Sequence, residues 1–424
     1  MRLYDTMTRQ KVELRAPTPG RPITIYVCGP TVYGRAHIGN ARPAVVFDTL
    51  YRVLRHLHGP EQVRYARNIT DIDDKIMDKA VRENRSAQAV AAEYEAYYFA
   101  DMAALGCLKP DFNPRATEHI AGDTGMIAMI AALVDRGYAY AAEGHVLFEI
   151  AKFAGYGALS HRPMDEMIAG ARVEVAPYKR GPGDFVLWKP SREDQPGWES
   201  PWGRGRPGWH IECSAMIRAV LETDTIDIHG GGLDLTFPHH ENERAQSCCA
   251  HGGAELARIW MHNGFLQMGE TKMSKSLGNI VTPGELLDAG WQGEVLRLAL
   301  LSAHYRQPLV WSDALLHQSK AQLDRLYRRG GATMEVVPAL LDDLNTPEAI
   351  AAFPAGAALL GFGGAAGWFT GDVDETALKP RLAAYAEARA AKDWAAADAI
   401  RDGLLAEGIK VAVAKDGVVR WEKA

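Results

Sequence analysis

Thiol, imidazole, carboxylate and ammonium side chains gather at a few places in this sequence where their types and spacing can do chemistry. Cys28 closes a short β-branched run. Far along the chain, Gly208-Trp209-His210-Ile211-Glu212-Cys213 brings a second thiol, and Phe237-Pro238-His239-His240-Glu241-Asn242-Glu243 brings imidazoles and carboxylates. Pro238 suits a first helical turn, which sets His239 and Glu243 four apart on one face. Two cysteines and such a pair can make a tetrahedral zinc site. Spacing does not single out the ligands: His210, His240 and Glu241 are competent too, no Cys-x-x-Cys pair is present, and a helix start rich in His and Glu also reads as a capped, solvated end. A different chemistry is open to Gly269-Glu270-Thr271-Lys272-Met273-Ser274-Lys275-Ser276-Leu277-Gly278-Asn279, a polar loop bounded by glycines with two lysines three apart. Such a loop can move, and its ammonium groups can neutralise a departing pyrophosphate. Upstream, His37-Ile38-Gly39-Asn40 precedes a helical stretch. Gly39 there lets a ligand approach the backbone, and His37 can donate to a phosphate oxygen.

These residues need elements to hold them. Ile23–Cys28, bounded by Pro22 and Gly29-Pro30, reads as a buried strand. Ala44 to His58 repeats apolar residues at helical spacing, and Gln62 to Ile69 reads as a second strand. Strand, helix and strand in this order predict a βαβ unit and a parallel sheet. Helices are expected near Ser86–Leu105 and Thr117–Arg136. From Tyr138 to Arg206 the pattern changes to short strand-like pieces (HVLFEI, ARVEVA, DFVLWK) between Gly and Pro turns, an insertion in the sheet. Thr225–His229 and Ile259–Met268 resume strand character. Gly230-Gly231-Gly232 is expected as a tight turn or a close approach to adenine or amino acid. Pro283 to Arg329 reads as helical, with Lys320, Arg325, Arg328 and Arg329 on a basic stretch. Pro338 to Gly371 is irregular, and Leu378 to Glu407 is one Ala-rich helix or a hairpin of two. Lys415-Asp416-Gly417 between β-branched runs signals a terminal β-hairpin.

Taken together, His37-Ile38-Gly39-Asn40 near the N-terminus and Lys272-Met273-Ser274-Lys275-Ser276 after a split sheet are similar to the HIGH and KMSKS signatures of class I aminoacyl-tRNA synthetases, and the whole chain from Tyr4 to Trp421 resembles the cysteinyl-tRNA synthetases. The resemblance implies an α/β Rossmann-type parallel-sheet catalytic domain over residues 1–305 with an insertion at about 108–206, an α-helical tRNA-binding domain over 306–372, and a small C-terminal α/β module over 373–424. It implies activation of L-cysteine by ATP, with Mg2+, to cysteinyl-adenylate and pyrophosphate, then transfer to the 3′ end of tRNA(Cys). His37, Lys272 and Lys275 are the implied catalytic residues, with His37, Gly39, Asn40 and Lys275 at ATP. Cys28, Cys213, His239 and Glu243 are the implied ligands of one Zn2+, and Thr31, Thr70, Trp209 and His229 the residues beside the amino acid. Zinc suits this substrate. Cysteine and serine are near-isosteres that packing separates weakly, whereas soft thiolate binds zinc far better than a hydroxyl does. Two departures stand out: Asn40 replaces the last His of the signature, so it donates a hydrogen bond but carries no charge, and the helical region after Asn345 is short for the family, trimmed between Phe353 and Trp368.

Bulk composition is compatible. The 424 residues are 47% hydrophobic and 24% charged, enough for two or three domains. A net charge of -6 does not announce a polyanion partner, so tRNA must be met by local basic patches. Five cysteines in no secreted-scaffold pattern, and an N-terminus without an apolar core, fit a reducing cytoplasm, and a monomer is expected. Ala349 to Gly371 is uncharged and long enough to cross a bilayer, but Pro354 and its many Gly and Ala residues make it a poor span, so no membrane is expected. Cys107, Cys248 and Cys249 are expected as packing residues. Two rivals share these features: a cysteine ligase of mycothiol synthesis that passes the amino acid to an amino-sugar, and a non-catalytic synthetase-like binding protein. The terminal module argues against the first, and the intact signatures argue against the second.

Overall fold

A computed structural model describes residues 1–163, 176–269, 271–272, 280–363, 368–369, 375–414 and 417–423. At its centre four strands, β1 (Ile23–Val27), β2 (Val63–Arg67), β3 (Ile226–Gly232) and β4 (Ala257–Asn263), run parallel in the order β4-β3-β1-β2. All five residues of β1 are buried, as both faces of a parallel sheet are covered. Strand alternation divides them. Ile23, Ile25 and Val27 join the core under helix α1 (Ile38–His58), while Tyr26 and Cys28 face a second core built with the insertion. After β1 and β3 the chain departs to opposite faces, which opens the crevice at the strand ends where ligands of such sheets bind.

The expected elements are present with informative shifts. Helix α1 starts at Ile38, ahead of the predicted Ala44, and carries Pro43 inside it. The apolar periodicity begins only after that proline, which reads as a boundary in sequence. The helix predicted over 117–136 divides into a turn at Ala116–His119 and a helix at Met126–Asp135, parted by Gly122 at φ 92° and by Gly125. Insertion strands Ala139–Ala142, His145–Phe148, Phe185–Pro190 and Gly205–Pro207 form an antiparallel sheet, and most of the ARVEVA segment lies outside the described residues. The strand expected over 259–268 ends at Asn263. Leu266–Met268 belongs to a separate sheet with Thr271–Lys272 and Leu309–Trp311, and the last of these interrupts the helical run predicted from 283 to 329.

The glycine triplet is not a turn. Gly230, Gly231 and Gly232 are the last residues of β3. A Cβ at Gly230 would stand 2.2 Å from Cζ of Phe47 on α1, and one at Gly231 would stand 2.8 Å from Cε1 of His240 on the opposite face. Glycine here lets two rings close on one strand from both sides.

The core on the α1 face continues through Val295–Leu301 to Val337, Leu340, Ile350, Leu360, Phe362 and Trp368, so among the described residues the uncharged stretch contributes to that core. Among the described residues no helix is long and apolar enough to cross a membrane. Two helices, Glu375–Ala390 and Trp394–Ala406, precede the antiparallel hairpin of Ile409–Val413 and Val419–Lys423, whose Lys415 and Asp416 lie outside the described residues. Leu378, Leu404 and Ile409 are its own small core.

Candidate active site and metal centre

Cys28 follows the last residue of β1, and its amide donates to the carbonyl of Gly230 at 3.1 Å, so the thiol is fixed at the sheet's end. Helix α2 (Trp209–Leu221) brings Cys213, and helix α3 (Glu241–Ala250) brings Glu243. Pro238 does not sit in the first turn of α3. It belongs to a wide turn, Thr236–His240, with Phe237 extended, that leads into the helix. His239 and Glu243 still meet as i and i+4, with Nε2 and Oε1 3.0 Å apart. The solvated-end reading fails, since His239, His240 and Glu243 are at most 1% exposed.

Ligand atoms of Cys28, Cys213, His239 and Glu243 lie within 4.8 Å of one another. The Cys28 and Cys213 sulfurs are 3.6 Å apart, and Cys28 Sγ lies 3.5 Å from Glu243 Oε1. Cys28, His229, His240 and Glu243 also converge. The first set holds both sulfurs; in the second, His240 turns Nε2 toward Glu243 at 3.9 Å while its Nδ1 is engaged by His262 Nε2 at 2.8 Å, and His262 Nδ1 by Thr6 Oγ1 at 2.7 Å. His229 Nε2 holds the other Glu243 oxygen at 2.8 Å and stacks its ring on Trp260. His210 Nδ1 lies 3.0 Å from His239 Nδ1, so it orients a member of the set and is not one itself. Gln246 ties α3 to α2 through the His210 carbonyl and Ser214 Oγ. Glu241 accepts from the Ser160 amide and stands outside the set.

Charge in the cluster is unsettled without a cation. Burial, followed by Cys213 and Glu243, pushes the Cys28 thiol up. Burial acts upward on Cys213 too, but hydrogen bonds from Cys28 and His239 outweigh it, and the thiol falls to about 6. Burial acts downward on His239, but Glu243 and Cys213 outweigh it and raise the imidazolium to about 10. Glu243 is held well below the carboxylate range: burial opposes this, and His229 and His239 prevail. His210, by contrast, is lowered to about 3 by burial and by His239. Two thiols, an imidazole and a carboxylate, facing one point and burying negative charge, match the donor chemistry of a tetrahedral zinc site.

A pocket of about 420 Å³ opens beside this cluster. Cys28, Thr31, His37, Gly39, Asn40, Trp209 and Gly232 line it. Trp209 is 39% exposed and stacks on His239 with centroids 4.1 Å apart, so it is a pocket wall and not a core residue. Thr70 is buried, donates to Glu212 Oε2 at 3.1 Å and pairs by backbone with Thr31. It stands one layer behind the wall, as His229 stands behind Glu243.

Asn40 has a definite part. His37 Nδ1 accepts from the Asn40 amide at 3.2 Å, and Asn40 Oδ1 accepts from the His37 amide at 3.3 Å, a reciprocal cap on α1. Because Nδ1 accepts, the neutral imidazole carries its proton on Nε2. A Cβ at Gly39 would stand 2.9 Å from the His37 ring, so glycine is needed by the cap itself. Lys272 is described only as backbone paired with Gln267, and Lys275 lies outside the described residues.

The pocket holds residues that sequence reasoning missed: Tyr33, Arg67, Lys75, Tyr98 and Asp234. They come from separate segments and carry no local motif; only the end position of a parallel strand pointed to Arg67. On the basic helix Asp313–Arg328, Lys320 pairs with Asp324 and Arg328 with Glu422 of the terminal hairpin, so part of its charge is neutralised internally. Cys107 is raised to about 11, and Cys248 and Cys249 to about 12, first by burial, as packing thiols should be.

Comparison with known proteins adds a second line of observation. The family described as tRNA synthetases class I (C) catalytic domain matches residues 15–321. A cysteine--tRNA ligase of Caulobacter vibrioides is 56% identical over 454 aligned residues, covering 97% of each chain. One from Xanthomonas campestris pv. campestris is 53% identical, covering 100% of this chain and 99% of its own. Among solved structures, Mycobacterium tuberculosis methionyl-tRNA synthetase in complex with methionyl-adenylate superposes with a TM-score of 0.56 at 18% identity, over 73% of this chain and 70% of that one. That likeness speaks for the fold.

Proposed function

The chain belongs to the cysteine--tRNA ligase family of class I tRNA synthetases, and from that premise we propose that Cys28, Cys213, His239 and Glu243 hold one zinc ion that selects cysteine by its thiol. The family's reaction joins the carboxylate of cysteine to the α-phosphorus of ATP, releases pyrophosphate, and passes the cysteinyl group to tRNA. The observation that carries the metal reading is the convergence of four soft and anionic donors within 4.8 Å at the mouth of the pocket. Zinc held there would lower the thiol pKa and favour thiolate over the hydroxyl of serine.

The protein's own groups take the remaining parts. Trp209, stacked on His239, closes one side of a space fit for a small side chain. His229 and His210 fix Glu243 and His239, so the donors are aimed before substrate arrives. Thr31 at the pocket and Thr70 behind it position the amino acid. His37, with its proton on Nε2, donates to a phosphate oxygen of Mg2+-bound ATP, and Gly39 lets that phosphate come close to the helix end. Lys275, with Lys272, neutralises the departing pyrophosphate. Residues 1–305 form the catalytic part, and 306–372 with 373–424 the side that meets tRNA(Cys); the protein works as a cytoplasmic monomer.

Two assays test this. Metal analysis of the purified protein should return one zinc per chain, retained when cysteine binds; a protein free of transition metal would defeat the zinc reading. Aminoacylation with tRNA(Cys) should exceed ligation to glucosaminyl-inositol, and the reverse preference would favour the amino-sugar ligase.

A further inference from the structure

Arg67 is the last residue of β2. It lines the pocket, yet it is 3% exposed. Among the described residues its guanidinium has no ion pair and no hydrogen bond, and its Nε is buried without a partner. What surrounds it is aromatic: Tyr98 lies 5.4 Å and Tyr65 6.0 Å from its centre. Two other fully buried arginines show what a structural guanidinium does here. Arg42 donates to the carbonyls of Gly264, Phe265 and His304 at 2.7 to 3.2 Å. Arg297 donates to the Leu360 and Leu105 carbonyls and pairs with Asp48. Asp48 also accepts from Arg52 and the Leu108 amide at 2.8 and 2.7 Å, and it acts on Arg67 only through space, with no hydrogen bond to it.

A buried cation without hydrogen bonds costs several kcal/mol unless an anion completes it. Arg67 lines the substrate-sized pocket, so a substrate can bring that anion. Register fixes where. Arg67 pairs with Val27, one residue before Cys28, and a Cβ on Gly29 would reach 3.4 Å from Arg67 Cγ. Arg67, on the α1 face with Val27, and Cys28, on the opposite face, therefore stand at adjacent strand ends and line the same pocket from its two sides.

We propose that Arg67 is a substrate-binding residue that grips an oxyanion, the α-carboxylate of cysteine in preference to the α-phosphate of ATP. The fork of a guanidinium suits a carboxylate held by two parallel hydrogen bonds. Strand position favours the carboxylate, because a thiol held at the neighbouring strand end leaves the other end of the same small molecule near β2. The choice of substrate rests on the proposed thiol site; the need for an anion rests on Arg67 alone.

The test uses zinc-loaded full-length protein in cysteine-dependent pyrophosphate exchange, with cysteamine, which lacks the carboxylate, as a competing ligand. Arg67→Gln should raise the KM for cysteine on the order of 10- to 100-fold, abolish the preference for cysteine over cysteamine, and leave the KM for ATP and the rejection of serine unchanged. A raised KM for ATP with the cysteine preference intact would assign the same anion site to phosphate. Unchanged KM values for both substrates would overturn the proposal. If Arg67→Gln does not fold, thermal shifts carry the test: cysteine must stabilise the parent protein more than cysteamine does, and Arg67→Lys must narrow that gap or raise the KM for ATP, while neither effect refutes the assignment. Loss of zinc or of serine rejection in the parent would instead count against the thiol site.

Discussion

The two ends of the pocket are built differently. At the thiol end Cys213, His239 and Glu243 are buried, and three of the four donors are held by a second group: Glu243 by His229, His239 by His210, and Cys28 through its backbone by the Gly230 carbonyl. At the other end His37 and Asn40 line the pocket and cap one helix between them. On the proposed reading, discrimination between cysteine and serine needs donors that cannot adjust to the wrong atom, which suits the buried histidine network around Glu243 and His239. On the same reading, phosphate chemistry needs groups that can follow charge as it moves from the α-phosphate to the leaving pyrophosphate, which suits the open placement of His37 and Asn40.

Substitutions at each end separate these roles. The largest effect is expected for Cys213→Ser, which should lose zinc and, with it, on the order of 10⁴-fold preference for cysteine over serine. Metal content and competitive exchange check both, and an unchanged metal content removes Cys213 from the ligand set. Lys275→Ala should slow adenylate formation on the order of 10²- to 10³-fold while cysteine binding stays nearly intact. Single-turnover rates against cysteine affinity measure the split, and an equal loss of both would blur the distinction between the ends. His229→Gln should weaken zinc on the order of 10- to 100-fold and leave the KM for ATP unmoved, as read by chelator competition.

Proton release sharpens the same contrast. Without metal, His239 titrates near 10 and Cys213 near 6, so at neutral pH His239 holds a proton that a metal must displace. The Cys28 thiol, pushed up by burial, must give up its proton as well, so zinc affinity should rise about a hundredfold per pH unit above Cys213's value and fall as the pH drops; a slope of only about tenfold would mean that His239 or Cys28 is not a ligand. The smallest effect is expected for Gly230→Ala, whose methyl would collide with Phe47 and cost about 1–3 kcal/mol in thermal or urea unfolding.

Much of this was legible in the sequence, for reasons that differ by residue. β1 was readable because a parallel strand buried on both faces is a near-continuous apolar run. The His239–Glu243 pair was readable because helical spacing survives an irregular turn before the helix. Gly230–Gly232 misled because a glycine run reads as a turn, and only the rings of Phe47 and His240 across the strand explain it. The early start of α1 was hidden by Pro43. Arg67, Lys75 and Tyr98 have no motif, since separate strands and helices bring them together.

The central claim is that a thiol-seeking cation sits in the buried donor nest, and the ratio of cysteine-dependent to serine-dependent pyrophosphate exchange before and after chelation measures it most directly. Stripped protein should lose cysteine activation and regain it, with serine still rejected, when Zn2+ is returned. A stripped protein that activates cysteine at the original rate and still refuses serine would contradict the account.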